Sequence, residues 1–220
     1  MFEKVYRQLR KLTPPEPCAI CGIPSHGDVA LCNSCRERLP TLSSAPFELQ
    51  SRNQWDKIII PYRYSEPLAP LIQQLKFDHK LNYARLFGSL MMEQLQKDMA
   101  APPDLILPIP LHPRRLRQRG FNQALEIIRN PAKELGIPLD ITSCLRRKHT
   151  EPQLSLNAAK RRHNLEDAFH ITTPLNGATV AIFDDVITTG STMRAVTHAL
   201  KSGGAGKIQI WALAYTPPHG

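Results

Sequence analysis

The run Val180-Ala181-Ile182-Phe183-Asp184-Asp185-Val186-Ile187-Thr188-Thr189-Gly190-Ser191-Thr192 changes character twice in thirteen residues. Its first four residues are apolar, with β-branched members and no breaker, and read as a buried strand ended by two adjacent carboxylates. A hydroxyl- and glycine-rich turn comes next. Met193 to Lys201 then has good helix formers, with Val196 and Leu200 four apart on one face. The first backbone N–H groups of a helix lack an internal acceptor and carry partial positive charge, so strand, loop and helix N-terminus together make an anion site. Thr188, Thr189, Ser191 and Thr192 add hydroxyl donors, and Gly190 lets the backbone come close. Carboxylates aimed at that anion would repel it. Asp184 and Asp185 are therefore expected to accept hydrogen bonds from sugar hydroxyls or to face a metal ion. Phosphate beside a diol reads as a ribose 5-phosphate; the plainer alternative is a strand-to-helix turn capped by Asp184 or Asp185.

Upstream, Leu105-Ile106-Leu107 reads as a second buried strand, opening into Pro108-Ile109-Pro110-Leu111-His112-Pro113-Arg114-Arg115-Leu116-Arg117-Gln118-Arg119. A loop stiffened by prolines and bearing four arginines suits a highly charged group such as pyrophosphate; a solvated basic face is the bland alternative. A helix is expected from about Asn122 to Leu135, stopped by Gly136, with Asn130-Pro131 kinking or splitting it. Leu139 to Leu145 reads as a further strand with Cys144 in its apolar run. The polar connection beyond it, through Arg147, Lys148, Lys160, Arg161 and Arg162, has the character of a lid. It would bring Arg147, Lys148 or Arg162 over a departing pyrophosphate, or offer Lys160-Arg161-Arg162 to nucleic acid. Phe169 to Ile171 reads as an edge hairpin with the segment after it, Gly203-Gly204 end the phosphate-loop helix, and Ile208 to Leu213 form the last buried strand. Alternating strands and helices of this kind indicate an α/β domain with a mostly parallel sheet.

Toward the other end, Cys18-x2-Cys21 and Cys32-x2-Cys35 are separated by ten residues. Two such pairs have the spacing of a tetrahedral zinc site, and four thiolates leave no open position, so the role is structural. Phe2, Val5, Tyr6, Leu9 and Leu12 share one face of an expected basic helix. Leu39 to Asp56 is rich in Pro, Ser, Thr and Gln and reads as a linker. Ile58 to Ile60 with Tyr62 suggests a strand; Leu68, Leu71, Ile72 and Leu75 recur at helical spacing, and a second helix covers Leu86 to Leu95. The organisation expected is 1–48 for the helix, zinc knuckle and linker, and 49–220 for the α/β domain. The longest apolar runs are too short for an integral membrane segment and no signal-peptide core is evident, so the default is a cytoplasmic protein. The net charge of +9 is concentrated: His112 to His163 holds twelve Lys and Arg against four acids, or +8. An anionic partner is implied. Phe121 is the only aromatic residue in that interval, so binding to a nucleic acid would be mainly electrostatic, with base stacking a minor part.

Phe183 to Thr192 resembles the phosphoribosyl pyrophosphate (PRPP) loop of type I phosphoribosyltransferases. With the four cysteines, Arg119-Gly120-Phe121-Asn122-Gln123, Gln153-Leu154-Ser155, and Arg162, Asn164 and Leu165 ahead of Phe169, nearly the whole chain resembles the ComF/GntX family of competence and DNA-utilisation proteins. The resemblance implies a type I phosphoribosyltransferase fold, a central mostly parallel sheet flanked by helices, carrying a small N-terminal zinc module. It implies a role in natural transformation, with single-stranded DNA and the DNA-uptake machinery as partners. It implies that Asp184 and Asp185 meet the ribose hydroxyls directly or through Mg²⁺, and that the loop through Val186, Ile187, Thr188, Thr189, Gly190, Ser191 and Thr192 holds PRPP by its 5-phosphate. His112, Arg114 and Arg115 fall where the pyrophosphate loop begins. Catalytic roles would lie with Asp184, Asp185, Arg147, Lys148 and Arg162. The chain also resembles the transferase half of amidophosphoribosyltransferase, but Phe2 stands where a glutaminase nucleophile would be needed. Three uses of the site are open: PRPP binding in DNA handling, transfer to a nitrogen acceptor, or PRPP-responsive regulation without catalysis.

Overall fold

The computed structural model describes residues 16–25, 29–50, 54–146 and 168–217. The amphipathic stretch Phe2 to Leu12 and the polar connection carrying Arg147, Lys148 and Arg162 lie outside them. The chain forms two compact units, Met1–Leu39 and Pro40–Gly220. In the first, β1 (Glu16–Pro17) pairs antiparallel with β2 (Pro24–Ser25), and α1 (Asn33–Glu37) comes after them.

The second unit begins with α2 (Phe47–Gln50), β3 (Lys57–Ile59), β4 (Tyr62–Arg63), α3 (Leu68–Phe77) and α4 (Asn82–Asp98). Next come β5 (Leu105–Pro108), α5 (Pro113–Arg119), α6 (Gln123–Leu135), β6 (Cys144–Arg146) and β7 (Phe169–Ile171), then β8 (Thr179–Ile187), α7 (Ser191–Ser202) and β9 (Lys207–Tyr215). The main sheet has the order β3-β9-β8-β5, with β4 continuing the β3 edge along β9 and every pair parallel. Leu139 adds one parallel bridge beyond β5 at Ile106. Every residue of β9 from Ile208 to Tyr215 is buried, as a parallel strand covered on both faces requires.

Three local expectations are corrected. The arginine-rich stretch after β5 is a helix, α5: His112 Nδ1 accepts from the Arg114 N–H at 3.2 Å, Pro113 fits the first turn, and Gly120 closes it at φ 77°. The run from Leu139 to Leu145 is divided, because Asp140 Oδ1 accepts from the N–H groups of Thr142 (3.0 Å) and Ser143 (2.9 Å) and turns the chain away from the sheet. Phe169–Ile171 then pairs backward, antiparallel with Cys144–Arg146, instead of with the chain after it.

The composition between Leu39 and Asp56 supplies turns: Leu42 N–H donates to Pro61 O at 2.7 Å, and Leu49 is buried. Pro131 leaves α6 continuous. The carbonyl it deprives of a donor four residues back, that of Ile127, faces Gly88 of α4, where an added Cβ would stand 2.7 Å from that oxygen. Gly88→Ala should therefore destabilise by about 1–3 kcal/mol, although alanine is ordinarily the better helix residue. Thermal unfolding checks the sign.

Candidate functional site

β5 and β8 are neighbours whose chains leave in opposite directions. From β5 the path runs through α6 to Leu139 on the far side; from β8 it runs through α7 to β9 on the other. Such a reversal opens a crevice at the carboxyl ends of the two strands, where open α/β sheets take their ligands. The sequence-expected residues converge on that edge: Asp184 and Asp185 near the end of β8, Thr188 to Thr192 beyond it, and His112, Arg114 and Arg115 after β5. Ile109 N–H donates to Phe183 O at 2.8 Å, and Asn122, which caps α6 through the Ala124 N–H at 3.0 Å, donates its Nδ2 to Ile109 O at 2.9 Å. The two loops are thus fastened to each other at their roots.

β8 extends through both carboxylates to Ile187. Asp185 is buried and forms an ion pair with Lys76 of α3. Asp184 Oδ1 accepts the Asp185 N–H at 2.9 Å. Burial, followed by the charge and hydrogen bond of Asp185, pushes the Asp184 carboxyl well above the usual carboxylate range, and Lys76 opposes the shift. Two crowded carboxylates of this kind fit a hard divalent cation or a diol, both of which offer them partners.

The loop beyond is braced from outside. Gly190 adopts φ 70°, and an added Cβ would lie 2.8 Å from Leu49 Cδ2 and 3.1 Å from Arg194 Nη1. Trp55 Nε1 donates to Thr197 Oγ1 at 2.8 Å. Arg194 Nη2 donates to Thr189 O at 2.8 Å and Ser191 Oγ at 3.2 Å, while the Thr189 and Ser191 hydroxyls lie 2.7 Å apart. Val186 and Ile187 complete the strand; Thr188 and Thr189 are exposed.

Around the carboxylates gather further cations: Arg119 and Arg115 of the arginine-rich run, and Lys76 and Arg146, which the sequence does not single out. Arg119 gives a hydrogen bond to Gln123 Oε1 at 2.9 Å. Burial, then the like charge of Arg115, lowers its guanidinium from the usual value, with Asp185 acting in the other direction. Arg146, at the end of β6, is lowered likewise by burial and Arg115 and supported by Asp184. Arg115 is therefore the common neighbour of two half-buried guanidinium groups. Lys76 and Arg146 come from segments with no motif of their own; only their places at the ends of α3 and β6 mark them.

In the first unit the Sγ atoms of Cys18, Cys21, Cys32 and Cys35 all lie within 4.8 Å of one another, and all four are free thiols. Cys21 and Cys32 Sγ are 3.7 Å apart, close to the edge of about 3.8 Å for a tetrahedron of sulfurs around zinc. Burial works to raise the Cys18 thiol, but backbone hydrogen bonds from Cys21, Cys32 and Ile20 outweigh it and hold it down at about 6. At Cys35 the Arg38 guanidinium works downward, yet burial and the other three thiols push it up to about 12. A cation at the centre removes that conflict, so the donor set fits a tetrahedral metal ion. Cys144 lies apart, buried, its thiol pushed up to about 12 by burial.

Residues 122–219 match the phosphoribosyl transferase domain. With the parallel sheet and its switch point, the second unit is a phosphoribosyltransferase domain of the type I fold. The chain is 33% identical over 206 residues to the DNA utilization protein YhgH of Escherichia coli (strain K12), covering 90% of each. It is 33% identical over 205 residues to Competence protein F of Haemophilus influenzae, covering 90% of this chain and 83% of that one. With Competence protein ComFC of Bacillus subtilis it shares 25% over 210 residues, 94% of this chain and 80% of the other. The chain belongs to the ComF/GntX family of competence and DNA-utilisation proteins.

The raised Asp184 carboxyl has a consequence for stability. Its contribution is full below the ordinary aspartate value of 3.8 and is lost as pH rises through its higher folded value. Asp184→Asn should remove that loss, raising the melting temperature of the ligand-free protein at neutral pH by roughly 2–4 °C for each kcal/mol relieved. An unchanged or lower melting temperature would show that the carboxylate is well compensated.

Proposed function

We propose that the chain is a PRPP-binding, phosphoribosyltransferase-like protein that acts in the cytoplasm in natural competence and DNA utilisation and contacts single-stranded DNA. The observation that carries the reading is the meeting, at the carboxyl ends of β5 and β8, of Asp184 and Asp185, the hydroxyl-rich loop leading into α7 and the arginine-bearing helix α5, with Arg119 and Arg146 within the electrostatic reach of the two acids and of Arg115. The half-buried guanidinium groups of Arg119 and Arg146, each beside the like charge of exposed Arg115, would be relieved by an anion, and pyrophosphate carries the charge and the oxygens to bridge them. The names of the three relatives support the DNA role.

Thr188, Thr189, Gly190, Ser191 and Thr192 would hold the 5-phosphate, with Arg194 fixing the loop's shape. Asp184 and Asp185 would take the ribose hydroxyls, and Lys76 would have to yield Asp185 as they do so. Magnesium bound with PRPP would neutralise charge on the pyrophosphate oxygens. Arg115, Arg119 and Arg146, with His112 and Arg114 at the start of α5, would hold the pyrophosphate end. If transfer occurs, the C1–O bond to pyrophosphate breaks as a C1–N bond to the acceptor forms, and these arginines stabilise the departing charge by position. Arg147, Lys148 and Arg162 are candidates to cover the site.

Calorimetric titration of the zinc-loaded chain with Mg²⁺ and PRPP, with and without single-stranded DNA and with pyrophosphate monitored, tests this. Saturable PRPP binding lost in Asp185→Asn is expected. Pyrophosphate release with an acceptor marks a transferase, and binding without release marks a PRPP-responsive protein. DNA affinity should fall steeply with salt, with a log–log slope of about −0.7 per phosphate neutralised. No PRPP binding by the wild type overturns the assignment of the site.

We assign Zn²⁺ to the four cysteines as a structural ion. Metal analysis should find one zinc per chain, lost in Cys32→Ser, with the melting transition of residues 16–39 disappearing with it.

A further inference from the structure

Phe77, the last residue of α3, is 66% exposed, more than any other large apolar side chain described. A lone exposed apolar residue needs no explanation. Phe77, however, has a guanidinium fixed over it: Arg119 Cζ lies 5.4 Å from its ring centroid. Arg119 is tied to Gln123 Oε1, and Gln123 is itself buried, so the cation over the ring is anchored in the domain. The preceding residue, Lys76, reaches Asp185, which brings the end of α3 to the carboxylates of β8. Beside it, His79 and Phe121 meet edge to face with centroids 5.7 Å apart. Phe121 is not the only ring near the arginines, because the fold delivers Phe77 and His79 from an earlier part of the chain.

An aromatic face backed by a guanidinium and open to water is a surface for a planar, electron-rich ring. Its place narrows the ligand. A flat heterocycle stacked there would lie beside the site read above as PRPP-binding, and a base arriving on a strand would bring its phosphates to the arginine-bearing helix that carries Arg119 itself. We propose that Phe77 and Arg119 form a stacking platform for an unpaired nucleobase at the mouth of the PRPP site. The proposal rests on the functional reading above and names the group that its DNA or acceptor presents.

The test uses the full zinc-loaded chain with an oligothymidylate strand, a strand of equal length whose sugars are abasic, and deoxyadenosine monophosphate. In Phe77→Trp, emission in excess of the wild-type signal should be quenched by the base-bearing strand and not by the abasic one. Phe77→Ala should weaken binding of the base-bearing strand about fivefold or more, the lower end of what one stacked base contributes, and leave abasic binding unchanged; Phe77→Tyr should restore it. Because the side chain is exposed, these variants should keep the wild-type melting temperature. Quenching by the monophosphate as well shows that free bases are also taken. Quenching by the monophosphate with no strand binding at any salt preserves the platform and removes the DNA role. Equal losses on both strands, or no quenching by either base-bearing ligand, overturn the platform while leaving PRPP binding to be judged by its own titration.

Discussion

Asp184 and Asp185 occupy consecutive positions in a strand flanked on both sides by parallel partners, and their mutual repulsion organises much of what surrounds them. A strand buried on both faces has little water to spare for charge. Lys76 is brought in from α3 to neutralise one carboxylate, while the other is pushed toward its protonated form. The arginines of α5 and β6 repeat the problem with opposite sign, crowding one another within reach of the same acids. The protein's own groups thus hold unfavourable charge of both kinds at one end of the sheet.

What is legible in the sequence is local. The strand, loop and helix around Asp184 can be read because apolar run, glycine and helix formers succeed one another without interruption, and the four cysteines because metal geometry constrains their spacing. The caps of α6, Asn122 and Gly136, are equally visible. What escapes depends on distance along the chain. Lys76 has an ordinary place after an apolar helical face, and only the packing of α3 brings it to Asp185. Arg146 reads as the first residue of a polar connection, since the backward pairing of β7 with β6 is set by a turn at Asp140 whose strength is not evident from composition. The arginine stretch reads as a loop although His112, Pro113 and Gly120 bracket a helix; charge draws attention away from the caps.

The two units solve stability differently. In the second, β8 and β9 bury nearly everything they carry, and a helix pair closes so tightly that Gly88 meets the backbone of α6. The first is small, with short strands and one short helix among its described residues, too little to sustain a core by apolar burial alone. There the four thiols come together within 4.8 Å of one another, a donor set that could hold a metal ion.

The brace on the loop between β8 and α7 links parts of the chain synthesised far apart. Trp55 and Thr197 are 142 positions from one another, and Leu49 is nearly as distant from Gly190. Contacts of such sequence separation have to meet the entropy of closing the long intervening loop. The pairing of β3 with β9 joins residues just as far apart, Lys57 with Gln209, so the same early segment completes both the edge of the sheet and the brace on the loop after β8: the sheet and the shape of that loop are finished together.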